Sequence, residues 1–88
     1  MTPYKLNKIN SIDQIVKDYF QTNSSMDEIP AKDLMSVFIE NGIFKKNYRD
    51  GLPIRKLLRE LDEENKLNLI KHSKVIRKAI NRNWYFSR

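Results

Sequence analysis

Cysteine is absent from this 88-residue chain, which excludes disulfides and thiolate metal sites. Glycine occurs only twice, at Gly42 and Gly51, so there is no glycine-rich loop to cradle a phosphate. His72 is the single histidine and has neither a second histidine nor a cysteine for company. It therefore reads as a strand or wing residue rather than a catalytic or metal-ligating one. No apolar run approaches the ~18 residues of a membrane span, and the opening MTPYKLNKIN lacks the apolar core of a signal peptide. A cytoplasmic protein that does not enter membranes is the expectation. Nothing pairs a nucleophile with a base, and the acids fall mainly on expected helical surfaces, so neither an enzyme nor a cofactor is expected.

The most informative shortage is of acid near the C-terminal end. Residues 65–88 hold seven Lys/Arg and no Asp or Glu. Residues 1–40 carry four Lys/Arg against six Asp/Glu, whereas residues 41–88 carry thirteen against five, so the +6 net charge is confined to the second half. A positive field concentrated in this way favours a polyanionic partner, most commonly nucleic acid. With 40% hydrophobic and 32% charged residues the chain suits a folded domain with one modest core.

Apolar spacing supplies the elements. Ile12, Ile15, Val16, Tyr19 and Phe20 follow the i, i+3, i+4, i+7, i+8 stripe of an amphipathic helix, predicted over 11–22 with Ser11 and Gln14 as a capping box. Residues 1–10 are read as a mobile lead outside the domain, which then spans 11–88. Glu28 and Ile29 suit a very short extended segment. A second helix is predicted in PAKDLMSVFIENG, with Pro30 at its first position, Leu34, Val37 and Phe38 as its stripe and Gly42 as its C′ residue. Ile43 and Phe44 read as anchors at the helix exit, before a polar, mostly basic connection over Lys45–Gly51.

The third helix, residues 53–64, has Ile54, Leu57, Leu58 and Leu61 as its apolar stripe and Lys56, Arg59 and Glu63 opposite, with Arg55 close by. Its charges run against the helix dipole. Arg55, Lys56 and Arg59 lie early and Glu60, Asp62, Glu63 and Glu64 late, whereas a helix favours acids first. Residues 67–88 are read as a basic hairpin, with Asn81-Arg82-Asn83 as its turn and Trp84, Tyr85 and Phe86 as strand formers. Trp84 and Phe86 are expected to face inward, with a base-stacking platform as the alternative. A rival helix over Ser73–Ile80 fits the periodicity too.

Three helices followed by a β-hairpin resemble the winged-helix variety of helix-turn-helix protein, an α+β fold. The resemblance is architectural, covers about residues 11–88 and carries no short diagnostic motif. It implies that residues 53–64 are the recognition helix and the basic hairpin 67–88 the wing. The Ile43–Gly51 connection is longer than the 3–4-residue turn of a compact helix-turn-helix.

DNA chemistry fits the same residues. Arginine's planar fork can bond guanine O6 and N7 together, which suits Arg55 and Arg59; Lys56 reaches a base or a phosphate. Lys71, Lys74, Arg77, Lys78 and Arg82 are candidates for phosphate or minor-groove contacts, and Lys45, Lys46 and Arg49 for second-rank phosphate contacts. The competing reading of the helix is surface pairing, Lys56 with Glu60 and Arg59 with Glu63, worth only about 0.2–0.5 kcal/mol per pair. The expected function is thus non-enzymatic binding of duplex DNA, in the manner of a transcription regulator, by a monomer, a homodimer or with a larger partner. A protein-interaction module for an acidic partner, or a subunit of a larger complex, is the alternative, and RNA binding is a third.

Overall fold

The computed structural model describes residues 2–79 and 83–88. The chain runs α1 (Pro3–Thr22), β1 (Glu28–Pro30), a 3₁₀ turn (Ala31–Leu34), α2 (Met35–Glu40), α3 (Leu52–Glu63), a second 3₁₀ turn (Leu67–Leu69), β2 (Lys74–Arg77) and β3 (Trp84–Ser87). This is an α+β architecture of three helices and a three-stranded antiparallel sheet in the order β1-β3-β2. No helix among the described residues is long and apolar enough to cross a membrane.

The first helix corrects the sequence reading. Residues 3–10 form its opening turns instead of a lead outside the domain, and Ile9 is fully buried. Thr2 Oγ1 accepts from the Lys5 N–H at 3.2 Å and Pro3 occupies the first turn, so the N-cap is Thr2 and Ser11 lies mid-helix. Ahead of Ile9 the apolar pattern is sparse, with Tyr4 74% and Leu6 39% exposed. That is why periodicity alone started the helix too late.

The second helix is also shorter than predicted. Pro30 pairs with Tyr85 in the ladder instead of opening the helix, and its ψ of 132° is extended. Proline is tolerated there because β1 is an edge strand. The exit behaves as expected. Gly42, at φ 74°, donates to the Ile39 carbonyl at 3.0 Å and Ile43 to the Phe38 carbonyl at 2.9 Å, closing the helix C-terminus. Phe44 then packs edge-on against Phe38, ring centroids 6.1 Å apart.

Ile54, Leu57, Leu58 and Leu61 of α3 are all buried, as their spacing predicts. Asn65, at φ 56°, closes this helix as Gly42 closes α2, with Lys66 donating to the Leu61 carbonyl at 2.7 Å. At its start, Arg49, Asp50 and Gly51 all have positive φ, and the Gly51 N–H is held by Asn47 Oδ1 at 2.8 Å.

Of the two readings of residues 73–80, strand prevails over Lys74–Arg77, because β2 pairs with β3 through Val75 and Phe86. The hairpin is shorter than the predicted 67–88, since Leu67–Leu69 turn as a 3₁₀ segment. Two residues of the predicted turn, Asn81 and Arg82, lie outside the described residues. Trp84 and Phe86 do face inward, 5% and 0% exposed, and Phe86 meets Phe38 edge-on at 6.4 Å. The aromatic strand is central, pairing with β1 on one side and β2 on the other, and buries Trp84 and Phe86 on one face.

Candidate nucleic-acid interface

The first two turns of α3 lie beside the end of the hairpin at which β2 leads into β3, where Arg77 pairs with Trp84. Between them is a groove of about 270 Å³, lined by Leu52, Arg55, Lys56 and Arg59 from α3, Arg77 from β2 and Trp84 from β3. Among the described residues its lining therefore holds four cations and no carboxylate. The α3 stripe sets this arrangement. With Ile54, Leu57, Leu58 and Leu61 committed to the core, Arg55, Lys56 and Arg59 must occupy the flank and outer side.

Each base is held differently. Arg55 is half-buried; its Nη2 donates to the Arg49 carbonyl, and its Nε is buried without a protein partner. Lys56 and Arg59 are exposed. Neither of the anticipated pairs, Lys56–Glu60 or Arg59–Glu63, forms. Glu60 is instead engaged by Lys5 of α1 at 3.0 Å. Glu60, the acid that directly follows Arg59, is thereby turned toward α1.

Register decides which hairpin cations join them. Arg77 stands opposite Trp84 and Val75 opposite Phe86, so Arg77 shares the helix-facing side of the sheet. Its guanidinium carbon sits 5.7 Å from the centre of the Trp84 ring, a cation–π contact on a buried platform. Lys74 and Lys78 belong to the opposite face by strand alternation. Lys78 lies over the Tyr85 ring at 4.3 Å and is hydrogen-bonded to Glu28, which raises its pKa above the usual lysine range despite partial desolvation. Of the eleven residues singled out from sequence, the structure thus unites Arg55, Lys56, Arg59 and Arg77.

The remaining candidates are scattered. Lys71 is exposed in the segment leading into β2. Lys45, Lys46 and Arg49 are exposed in the connection, where Lys46 lies 5.9 Å from the Tyr48 ring centre and Arg49 contributes its carbonyl to Arg55. Arg82 lies outside the described residues.

Trp84 is core, as its strand alternation predicts, and it also backs Arg77. One residue is missed in the sequence. Asp13 is 5% exposed and accepts from the His72 main-chain N–H at 2.9 Å, with His72 Nδ1 2.7 Å from its other oxygen. This bond ties the entry of β2 to α1. An acid four residues after Ile9 and three before Val16, inside an apolar stripe, was the available signal.

A second groove, about 300 Å³, runs between α1 and α2 past Ile15, Asp18, Tyr19, Leu34, Val37 and Asn41. It holds no cationic side chain and no convergent charge. No group of three or more metal-ligating side chains occurs among the described residues. No family model, no curated protein and no solved structure matches this chain.

Proposed function

We propose that this protein binds double-stranded DNA without catalysing a reaction, in a winged-helix manner, with α3 entering the major groove and the hairpin lying along the backbone. The observation that carries the reading is the meeting of Arg55, Lys56 and Arg59 with Arg77 on one acid-free groove. These bases come from two elements that are far apart in sequence, so the cluster is a product of folding and not of composition alone. Support also comes from three helices followed by an antiparallel hairpin, and from the exposed, carboxylate-free state of Lys56 and Arg59 on the outer side of α3. In a helix of 12 residues with Arg55 and Lys56 in its first half and Arg59 one turn further on, an end-on approach is the geometry in which N-terminal residues of a recognition helix reach base edges.

The test is fluorescence anisotropy with random duplex DNA, duplex RNA, single strands and a selected duplex pool over a range of salt. Duplex DNA is expected to bind best, with a log–log salt slope that steepens by about 0.9 for each phosphate engaged. No binding to duplex DNA at low salt rejects the proposal. Binding that disappears near physiological salt assigns the groove to an acidic protein partner instead.

A further inference from the structure

We infer that the groove between α3 and β2 is a pocket for one phosphate group, a backbone phosphodiester of bound duplex, held by Arg55 and Arg77. The inference rests on the nucleic-acid reading and changes the role of one residue within it: Arg55 grips backbone, leaving base edges to Lys56 and Arg59.

Arg55 is the residue least suited to reading a base. Its guanidinium is tethered through Nη2 to the Arg49 carbonyl, so it cannot extend outward like its exposed neighbours. What the tether leaves is a fixed Nε–H, buried at the groove and donating to no protein acceptor. A buried donor on a charged group is costly to leave unmade, so an acceptor brought in by a ligand would relieve it. A second guanidinium faces the same space. Arg77 is laid against the Trp84 indole, and Trp84 is only 5% exposed, so this platform cannot move aside. Among the described residues the Arg77 guanidinium donates to no acceptor, so its N–H groups are left for a ligand.

The occupant's chemistry follows from these donors. Two planar guanidiniums match the several oxygens of a phosphate better than a single neutral acceptor, and charge-assisted bonds to phosphate are among the stronger ones available. Lys56 and Arg59 add positive charge, and no carboxylate among the described lining residues competes with a ligand. The start of α3 also lines the groove at Leu52, so the positive end of the helix dipole adds to the same field. The early bases of α3, unfavourable for the helix by itself, are thus placed where an anion offsets their repulsion.

The experiment follows the arginine Nε–H and Trp84 indole N–H signals of the full chain by NMR during titration with inorganic phosphate, with chloride at matched ionic strength as control, and separately with random-sequence duplex. Phosphate, and not chloride, is expected to shift the Arg55 and Arg77 signals, and duplex to shift the same ones. Arg77→Gln, at an exposed position, should reduce the magnitude of the duplex salt slope by about 0.9 without changing sequence preference. Arg55→Lys keeps the charge but removes the fixed Nε–H, and should abolish the phosphate-specific shift. Duplex binding that persists while Arg55→Lys alters sequence discrimination and inorganic phosphate moves neither arginine overturns the pocket and leaves the DNA reading standing. Phosphate shifts without any duplex binding keep the pocket for a free phosphate group and overturn the DNA reading. Silence in both titrations removes both.

Discussion

Asp13 and His72, 59 residues apart, are joined twice: one carboxylate oxygen accepts from the His72 main-chain N–H at 2.9 Å and the other lies 2.7 Å from Nδ1. A carboxylate only accepts, so Nδ1 carries the hydrogen. The pair pins the chain to α1 just before it enters β2, and so fixes where Arg77 arrives. Asp13→Ala should cost about 2–3 kcal/mol, because it removes both hydrogen bonds made by a buried carboxylate. His72→Ala keeps that main-chain bond and should cost only about 1 kcal/mol. Urea unfolding of the two variants measures the order, and equal losses would contradict it.

The two glycines should differ in their tolerance of a side chain. Gly42 has φ 74° with nothing within 4 Å of an added Cβ, so Gly42→Ala should cost only the left-handed penalty of about 1–2 kcal/mol. Gly51 has φ 85° and an added Cβ would lie 2.5 Å from Lys32 Cβ. Gly51→Ala therefore adds overpacking of about 1–3 kcal/mol to the same penalty. Thermal unfolding should rank Gly51→Ala well below Gly42→Ala.

DNA binding should separate the basic residues by face and not by number. Arg59→Ala is expected to cost about 1–3 kcal/mol on a selected duplex and to relax preference at one base position. Lys78→Ala should leave the salt slope nearly unchanged, since Lys78 is committed to Glu28 on the other side of the sheet. Anisotropy titrations at four salt concentrations compare them. A larger slope change for Lys78→Ala than for Arg77→Ala would place the contact surface on the wrong face.

The Lys78–Glu28 contact predicts an alkaline effect. The hydrogen bond to Glu28 raises the folded pKa of Lys78 above its unfolded value. Its contribution to stability is therefore fully present below about pH 10.4 and is lost as pH rises through the raised folded value. Lys32, raised by its hydrogen bond to Asp50, acts with the same sign. Denaturation midpoints measured on both sides of that window should fall less steeply for Glu28→Gln than for the unmodified protein. An identical fall in both would show that Lys78 does not contribute.

Much of the local architecture was written in short-range patterns. Ile54, Leu57, Leu58 and Leu61 specify one buried face of α3 because a helix repeats every 3.6 residues. Gly42 ends α2 because it adopts a left-handed φ without a Cβ clash. Trp84 and Phe86 face inward because a strand alternates. The basic character of the second half was equally plain in composition.

Tertiary structure decided the rest. Lys74–Arg77 satisfies a helical and a strand pattern alike, and only pairing with Trp84–Ser87 selects the strand. That register then carries Arg77 to the face of Trp84 and sends Lys74 and Lys78 to the other, a division a one-residue slip would reverse. The opening turns of α1, the Asp13–His72 tie and the diversion of Glu60 to Lys5 all join groups distant in the chain. Periodicity reports which side of an element is apolar; it contains no term for which element will lie against that side. By itself the sequence determined a basic three-helix domain with a C-terminal hairpin, and packing determined which four of its cations face one another across a groove.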